Sequence, residues 1–284
     1  MSSFAIVTDS TANLPKAFIE KQGIYVLPLT WISGEKEYSG SMEGEREAYA
    51  LFYEKLRKEK HISTSMSNQR TAQKLVQKLL SEEKDILYIG LSSKLSGTFH
   101  MMERVLGYEA KKYPERKWYA VDSFAIGLGE GSLVFDAAKI RRRGEDIGAA
   151  YAWCCQRRWR LHTLFTVDDL GFLRRSGRAN AVLSTAGSVL KIKLLFSMQD
   201  GGKLRQVGKV RGRKKALQEL TTQALTGLTE PQTIYISHGD CHEDACYVAK
   251  QMEKSEFVKK IIMQPLDPVS ACHTGPNSIG IFFV

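Results

Sequence analysis

Residues 85–106 read DILYIGLSSKLSGTFHMMERVL. The first six are an apolar run of strand length, with Gly90 at its end. The last nine carry apolar residues at helical spacing (Phe99, Met102, Leu106). Between them lies a short loop with four hydroxyls, Ser92, Ser93, Ser96 and Thr98, and one glycine, Gly97. A buried-type strand that passes through so short a loop into an amphipathic helix is half of a βαβ unit. It predicts a parallel sheet with helices on its faces.

The same alternation extends in both directions. FAIVTD (4–9) reads as a strand, and Ser10 or Thr11 is placed to cap a helix starting near Pro15. GIYVLPLTW (23–31) reads as a second strand. EREAYALFYEKLRKEK and NQRTAQKLVQKLLSEE have helical periodicity. WYAVDS reads as a strand and GEGSLVFDAAKIRRR as a helix. After HTLFTV the pattern changes. KIKLLFSMQDGGKLRQVGKV is two strand-like runs around a DGG turn, a hairpin. A helix (RKKALQELTTQALTGL), a strand (QTIYISHGD), a helix and two further strands (KKIIMQP, SIGIFFV) follow. A hairpin joined to parallel-type units predicts a mixed sheet. The expected fold is therefore α/β with two domains. Residues 1–165 form a three-layer α/β/α unit with a parallel sheet, and residues 166–284 form a two-layer unit with a mixed sheet.

In open α/β sheets ligands bind beyond the carboxyl ends of the strands. Several hydroxyl-rich stretches fall there: TDST (8–11), ISTSMSNQ (62–69), LSSKLSGT (91–98) and VDSFAIGLGEG (121–131). Helix-start N–H groups, hydroxyl donors and a glycine that admits close backbone approach suit a phosphate or carboxylate. Plain N-capping by Ser96 is the competing explanation. His273, in PVSACHTGPNSIG, is expected in a shaped loop because Pro and Gly flank it.

Bulk composition is globular, with 43% apolar and 25% charged residues in 284. No run has the length of a membrane span, and MSSFAIVTDS lacks the basic-then-apolar order of a signal peptide, so a cytoplasmic protein is expected. The five cysteines include no CxxC pair, which argues against a zinc site or disulfide framework, and no cofactor motif is present. GxxxxGK[ST], GxGxxG and GxSxG are all missing. The net charge of +10 is clustered in KIRRR (139–143), QRRWR (156–160), LRRSGR (173–178) and KVRGRKK (209–215). No nucleic-acid motif accompanies these runs, so they read as solvated helix ends or as a docking surface rather than a nucleic-acid site.

In order, IVTDSTANLP, TSMS, LSSKLSGTF, VDS with its glycines, DDLGFLRRSGR, LLFSMQDGGKL with KVRGRKKA, and ACHTGPNSIGIFF resemble the DegV family over nearly the whole chain. The resemblance implies the two-domain fold above. It also implies a protein that is not itself an enzyme and binds a single long-chain fatty acid such as palmitate. The partner it implies is a fatty-acid kinase, to which the acyl carboxylate is presented to make acyl-phosphate for phospholipid synthesis. Carried over by position, Thr64 and Ser96 hold the carboxylate, with Ser65, Gly97 and His273 beside it. Arg178 and Arg211 match positions linked to kinase docking or phosphoryl transfer. The family's usual TSQPS is TSMSN here, so the loop loses its stiffening proline and gains Met66. The basic runs then suit an acidic kinase or a transient contact with anionic lipid.

One rival reading is a serine hydrolase acting on a small ester, with Ser96 as nucleophile, His273 as base and Asp9 as orienter.

Overall fold

A computed structural model describes residues 4–41, 46–59, 61–178 and 192–284. The first unit is built on four parallel strands, β1 (Ala5–Asp9), β2 (Tyr25–Leu27), β6 (Ile86–Gly90) and β7 (Trp118–Asp122), in the order β2-β1-β6-β7. Alternate side chains leave this sheet on opposite faces. Ile6, Leu87, Ile89 and Val121 pack on helices α5 (Leu128–Arg142) and α6 (Ile147–Arg157). Val7, Ile86 and Tyr88 pack on α3 (Gln69–Ser81) and α4 (Thr98–Glu109). Burial on both faces is why these strands read as continuous apolar runs. Helix α1 (Lys16–Gln22) starts without a side-chain cap, while Asp9, rather than Ser10 or Thr11, caps the 3₁₀ turn Ser10–Ala12.

GIYVLPLTW is not one strand. Pro28, which has no N–H for a ladder, separates β2 from β3 (Thr30–Ser33), and β3 joins a small antiparallel sheet in the order β4-β3-β5. Its partners are β4 (Lys36–Ser39) and β5 (Ile62–Ser65). Trp31 of this sheet packs with Phe52, Tyr53 and Leu56 of α2 (Arg46–Lys58) and with Ala271 and Cys272 of α10 (Pro268–Thr274).

The second sheet has six strands in the order β10-β9-β8-β13-β11-β12 and is mixed: only β11 and β12 run parallel. They are β8 (His162–Thr166), β9 (Ile192–Gln199), β10 (Lys203–Arg211), β11 (Gln232–His238), β12 (Val258–Pro265) and β13 (Ile279–Phe283). One face is covered by α8 (Arg213–Gly227) and α9 (His242–Met252) through Leu217, Leu220, Val248 and Met252. The other meets α7 (Leu170–Ser176) through Leu173, and meets α5, where Phe135 stacks on Tyr235 at 5.7 Å. Because β8 already belongs to this sheet, the chain crosses between sheets from Arg157 to His162, ahead of the expected 165/166 division.

No described helix is long and apolar enough to cross a membrane.

Candidate functional site

Where the two sheets meet, a narrow channel offers about 90 Å³ to the centre of a water-sized sphere. Its walls are apolar, with Leu29, Leu91, Leu95, Ile126, Phe165 and Met198 among them. Its polar lining includes Thr64, Ser65, Ser96, Arg178 and His273. Five residues singled out from separate stretches of sequence thus share one cavity.

Thr64 reaches the channel because ISTS is a strand, not a loop. On β5 the period of two turns Ile62 and Thr64 inward while Ser63 and Ser65 are exposed. Pairing of Thr64 with Trp31 of β3 fixes that register. Thr64 Oγ1 lies 2.9 Å from His273 Nε2. His273 is on the last turn of α10, not in a loop. Pro268 and Gly275, which suggested the loop, are the first residue and the C-cap of this helix. Burial first, and the nearby Arg178 charge second, push the His273 imidazole down to about 4, so it is neutral at pH 7.

Ser96 sits at the turn into α4. Its Oγ accepts from Thr98 N at 3.2 Å and is 3.0 Å from Thr98 Oγ1. This is the local capping role expected as the bland alternative, yet the residue also lines the channel. Gly97 is the exposed N-cap of α4, with ordinary φ of −73°. A Cβ there would meet only Met66, at 3.8 Å. Met66 is itself half exposed at the channel and directly precedes Ser67, which stands where the family has proline. Arg178, just past α7, is exposed and its Nε donates to Leu95 O at 3.5 Å. Arg211, exposed at the end of β10, does not line the channel.

Some of the other groups in the strand-to-helix loops are engaged elsewhere. Ser92 Oγ donates to Gly202 O at 3.1 Å, which ties the loop to the tip of the β9–β10 hairpin. Ser93 N donates to the Asp122 carboxylate, which also accepts from Phe124 N. Asp122 is thus a support that sequence reasoning missed; its only signal was its place at the end of β7, in VDS. Thr11 lines the channel, but its hydroxyl is held by Asp9 and Glu130. Ser270 also lines the channel and its buried Oγ has no hydrogen-bond partner.

The triad of a serine hydrolase is not assembled among the described residues. Ser96 bonds to Thr98 and His273 to Thr64, while Asp9 is engaged by Thr11 and Leu91. A larger, separate cleft of about 1090 Å³ runs past Lys16, Glu20, Tyr49, His238 and Asp240. It carries mixed charges, and none of the five converging residues lines it, so the smaller channel is the better site candidate. No group of three or more His, Cys, Asp or Glu among the described residues is placed to hold a metal ion.

A family model described as uncharacterised proteins of the DegV family matches residues 3–284. The chain belongs to the DegV family. It is similar to a DegV domain-containing protein of Clostridium perfringens, at 34% identity over 100% of this chain and 98% of the relative. Among solved structures it resembles a fatty-acid-binding DegV family protein of Thermus thermophilus, with TM-score 0.88, 26% identity, and 99% and 98% of the two chains covered. It also resembles DegV, a fatty-acid-binding protein of Bacillus subtilis, with TM-score 0.83 and 26% identity over 99% of both chains. These likenesses bear out the expected α/β fold with one parallel and one mixed sheet.

Proposed function

We propose that this protein binds one long-chain fatty acid in the channel and presents its carboxylate to a fatty-acid kinase. The observation that carries the reading is the Thr64–His273 pair, which together with Ser96 lines a largely apolar channel. The fatty-acid-binding relatives of the same fold support it. A carboxylate removed from water needs several donors to offset its desolvation. With the proton of neutral His273 on Nε2, the imidazole donates to Thr64 Oγ1, and the Thr64 proton is free to point at the ligand. Ser96 supplies a second hydroxyl. Neutral donors hold the anion without clamping it, which suits a group that must next react.

The tail supplies affinity. About 15 buried methylenes at ~0.8 kcal/mol each give on the order of 12 kcal/mol gross, before ordering costs. A chain of that length requires the channel to widen, and Met66 and Met198 line it together with Leu95 and Leu204. The two methionines are the most adaptable of these. In the kinase step Arg178, exposed at the channel, faces the incoming phosphoryl group, and Arg211 and the basic runs serve docking to the kinase or brief contact with anionic lipid.

Mass spectrometry of an organic extract of the denatured protein tests the reading. A near-stoichiometric fatty acid is expected, together with a thermal upshift of delipidated protein on adding palmitate or oleate. An empty extract with no shift from either ligand would refute it.

A further inference from the structure

Behind the channel wall lies a chain of buried oxygens. Thr11 Oγ1 is 2.6 Å from Asp9 Oδ1 and 3.0 Å from Glu130 Oε2. Thr8 Oγ1 is 2.9 Å from Glu130 Oε1. Asp9, Thr11 and Glu130 are all essentially without solvent exposure. A hydroxyl carries one proton and can donate to one of these carboxyls only. Were both ionised, Thr11 oxygen would face one carboxylate lone pair to lone pair at hydrogen-bond distance, in a medium where that is costly.

The donor inventory decides which acid holds the proton. Asp9 accepts from two main-chain N–H groups, Thr11 at 2.9 Å and Leu91 at 3.1 Å, and has the Tyr88 hydroxyl at 3.4 Å. Glu130 has, among the described residues, only the two threonine hydroxyls. Among the described residues, the titratable groups that act most strongly on Glu130 are Asp9 on β1 and Asp267 at the head of α10, with Tyr88 on β6 also facing it, and all three are acids. We propose that Glu130 is a protonated positioning residue, donating to Thr11 Oγ1, which donates to ionised Asp9. Burial and the Asp9 charge act in the same direction on its carboxyl.

The consequence reaches the ligand site, because Thr11 and Leu91, both fixed by this chain, line the channel. The proton on Glu130 also keeps a second negative charge from standing next to Asp9 behind a site for an anion. This functional arm rests on the fatty-acid reading; the protonation itself does not.

Glu130→Gln copies the neutral acid, with an amide N–H₂ toward Thr11 and a carbonyl toward Thr8. The infrared carbonyl intensity of protonated carboxylic acids at about pH 7 is expected to fall by that of one carboxyl in the Gln variant, the remainder belonging to other buried acids such as Asp267. In urea unfolding above about pH 5, the wild-type unfolding constant is expected to rise with pH relative to Glu130→Gln, by up to about tenfold per pH unit. The fold holds a proton there that the unfolded chain has released. Parallel pH curves and an unchanged carbonyl region would overturn the proposal. Palmitate affinity is expected within about twofold of wild type in Glu130→Gln and at least about tenfold weaker in Glu130→Leu. Equal affinity in the Leu variant would overturn the positioning role. If none of the three proteins binds palmitate, the fatty-acid reading fails while the infrared band and urea curves still decide the proton.

Discussion

Replacing Thr64 by Val removes one hydroxyl while keeping a β-branched side chain on the β5 edge strand, so the backbone has no reason to move. Two losses follow from the structure. The first is the donor to the ligand carboxylate. A hydrogen bond to a charged group contributes about 1.5–3 kcal/mol, which corresponds to roughly a 10- to 150-fold weaker Kd for palmitate. The second is the partner of His273 Nε2, 2.9 Å away in the wild type. Leaving a buried polar atom unpaired costs about 1–3 kcal/mol, and the low end applies because the His273 residue keeps some exposure. That corresponds to a fall of about 2–4 °C in Tm for a chain of this size. Displacement of a fluorescent fatty acid by palmitate, run beside a thermal melt of delipidated protein, measures both. A Kd within about twofold of wild type would refute the assignment of Thr64 to the head-group. A large loss of affinity with a collapse in Tm would instead mean that the residue is mainly structural.

Ser92→Ala is the control from the same loop: it deletes the bond to Gly202 O, so about 1 kcal/mol of stability is expected to go in urea unfolding while palmitate affinity stays within about twofold. Arg178→Ala is expected to weaken palmitate binding by no more than about twofold, since the pull of an exposed guanidinium is screened by solvent and salt, but to lower acyl-phosphate formation with a fatty-acid kinase; normal turnover would remove it from the mechanism. Asp267, fully buried, has its carboxyl pushed up to about 7 mainly by burial. Its raised value means stability that is full below about pH 4 and lost as pH rises through about 7. Asp267→Asn can still accept from Ser270 N and is expected to remove up to ~1.4 kcal/mol per pH unit of that slope in urea unfolding; an unchanged pH profile would refute it.

The parallel sheet was legible because its strands are buried on both faces and read as unbroken apolar runs, as in ILYIG. The hairpin was legible from QDGG between β9 and β10, where Asp200, Gly201 and Gly202 all adopt positive φ. The small sheet was not. Two of the four residues of KEYS are charged on an edge strand, and ISTS has more hydroxyls than apolar groups, so neither carries a core-facing pattern strong enough to outweigh a loop reading. Helix α6, IGAAYAWCCQR, lay between better-marked elements and was not assigned. Helix α10 was hidden by its length: seven residues are too few for periodicity, and its boundary Pro and Gly looked like loop punctuation. At the site, residue types could point to an anion but could not tell which hydroxyls were free. Ser92 and Thr11 looked as available as Ser96 until their partners, Gly202 and Glu130, were found 110 and 119 residues away.

The placement of charge around the channel bears on which way a ligand lies in it. Among the described residues that line the channel, Arg178 is the one cation, and it is exposed. His273 contributes no charge at neutral pH. Behind Thr11 stands Asp9, buried and satisfied by main-chain N–H groups. A carboxylate is therefore drawn toward the exposed Arg178 and, with Asp9 ionised as proposed above, repelled from the Asp9 side, while the apolar walls accept only the tail. Electrostatics and the hydrophobic effect select the same orientation for an amphiphile, head-group outward and chain inward. On the proposed reading, Thr64, Ser96 and His273 need only fix the position of an anion whose direction is already set. This division of labour lets the site use neutral donors where a buried arginine would hold the carboxylate too tightly to react.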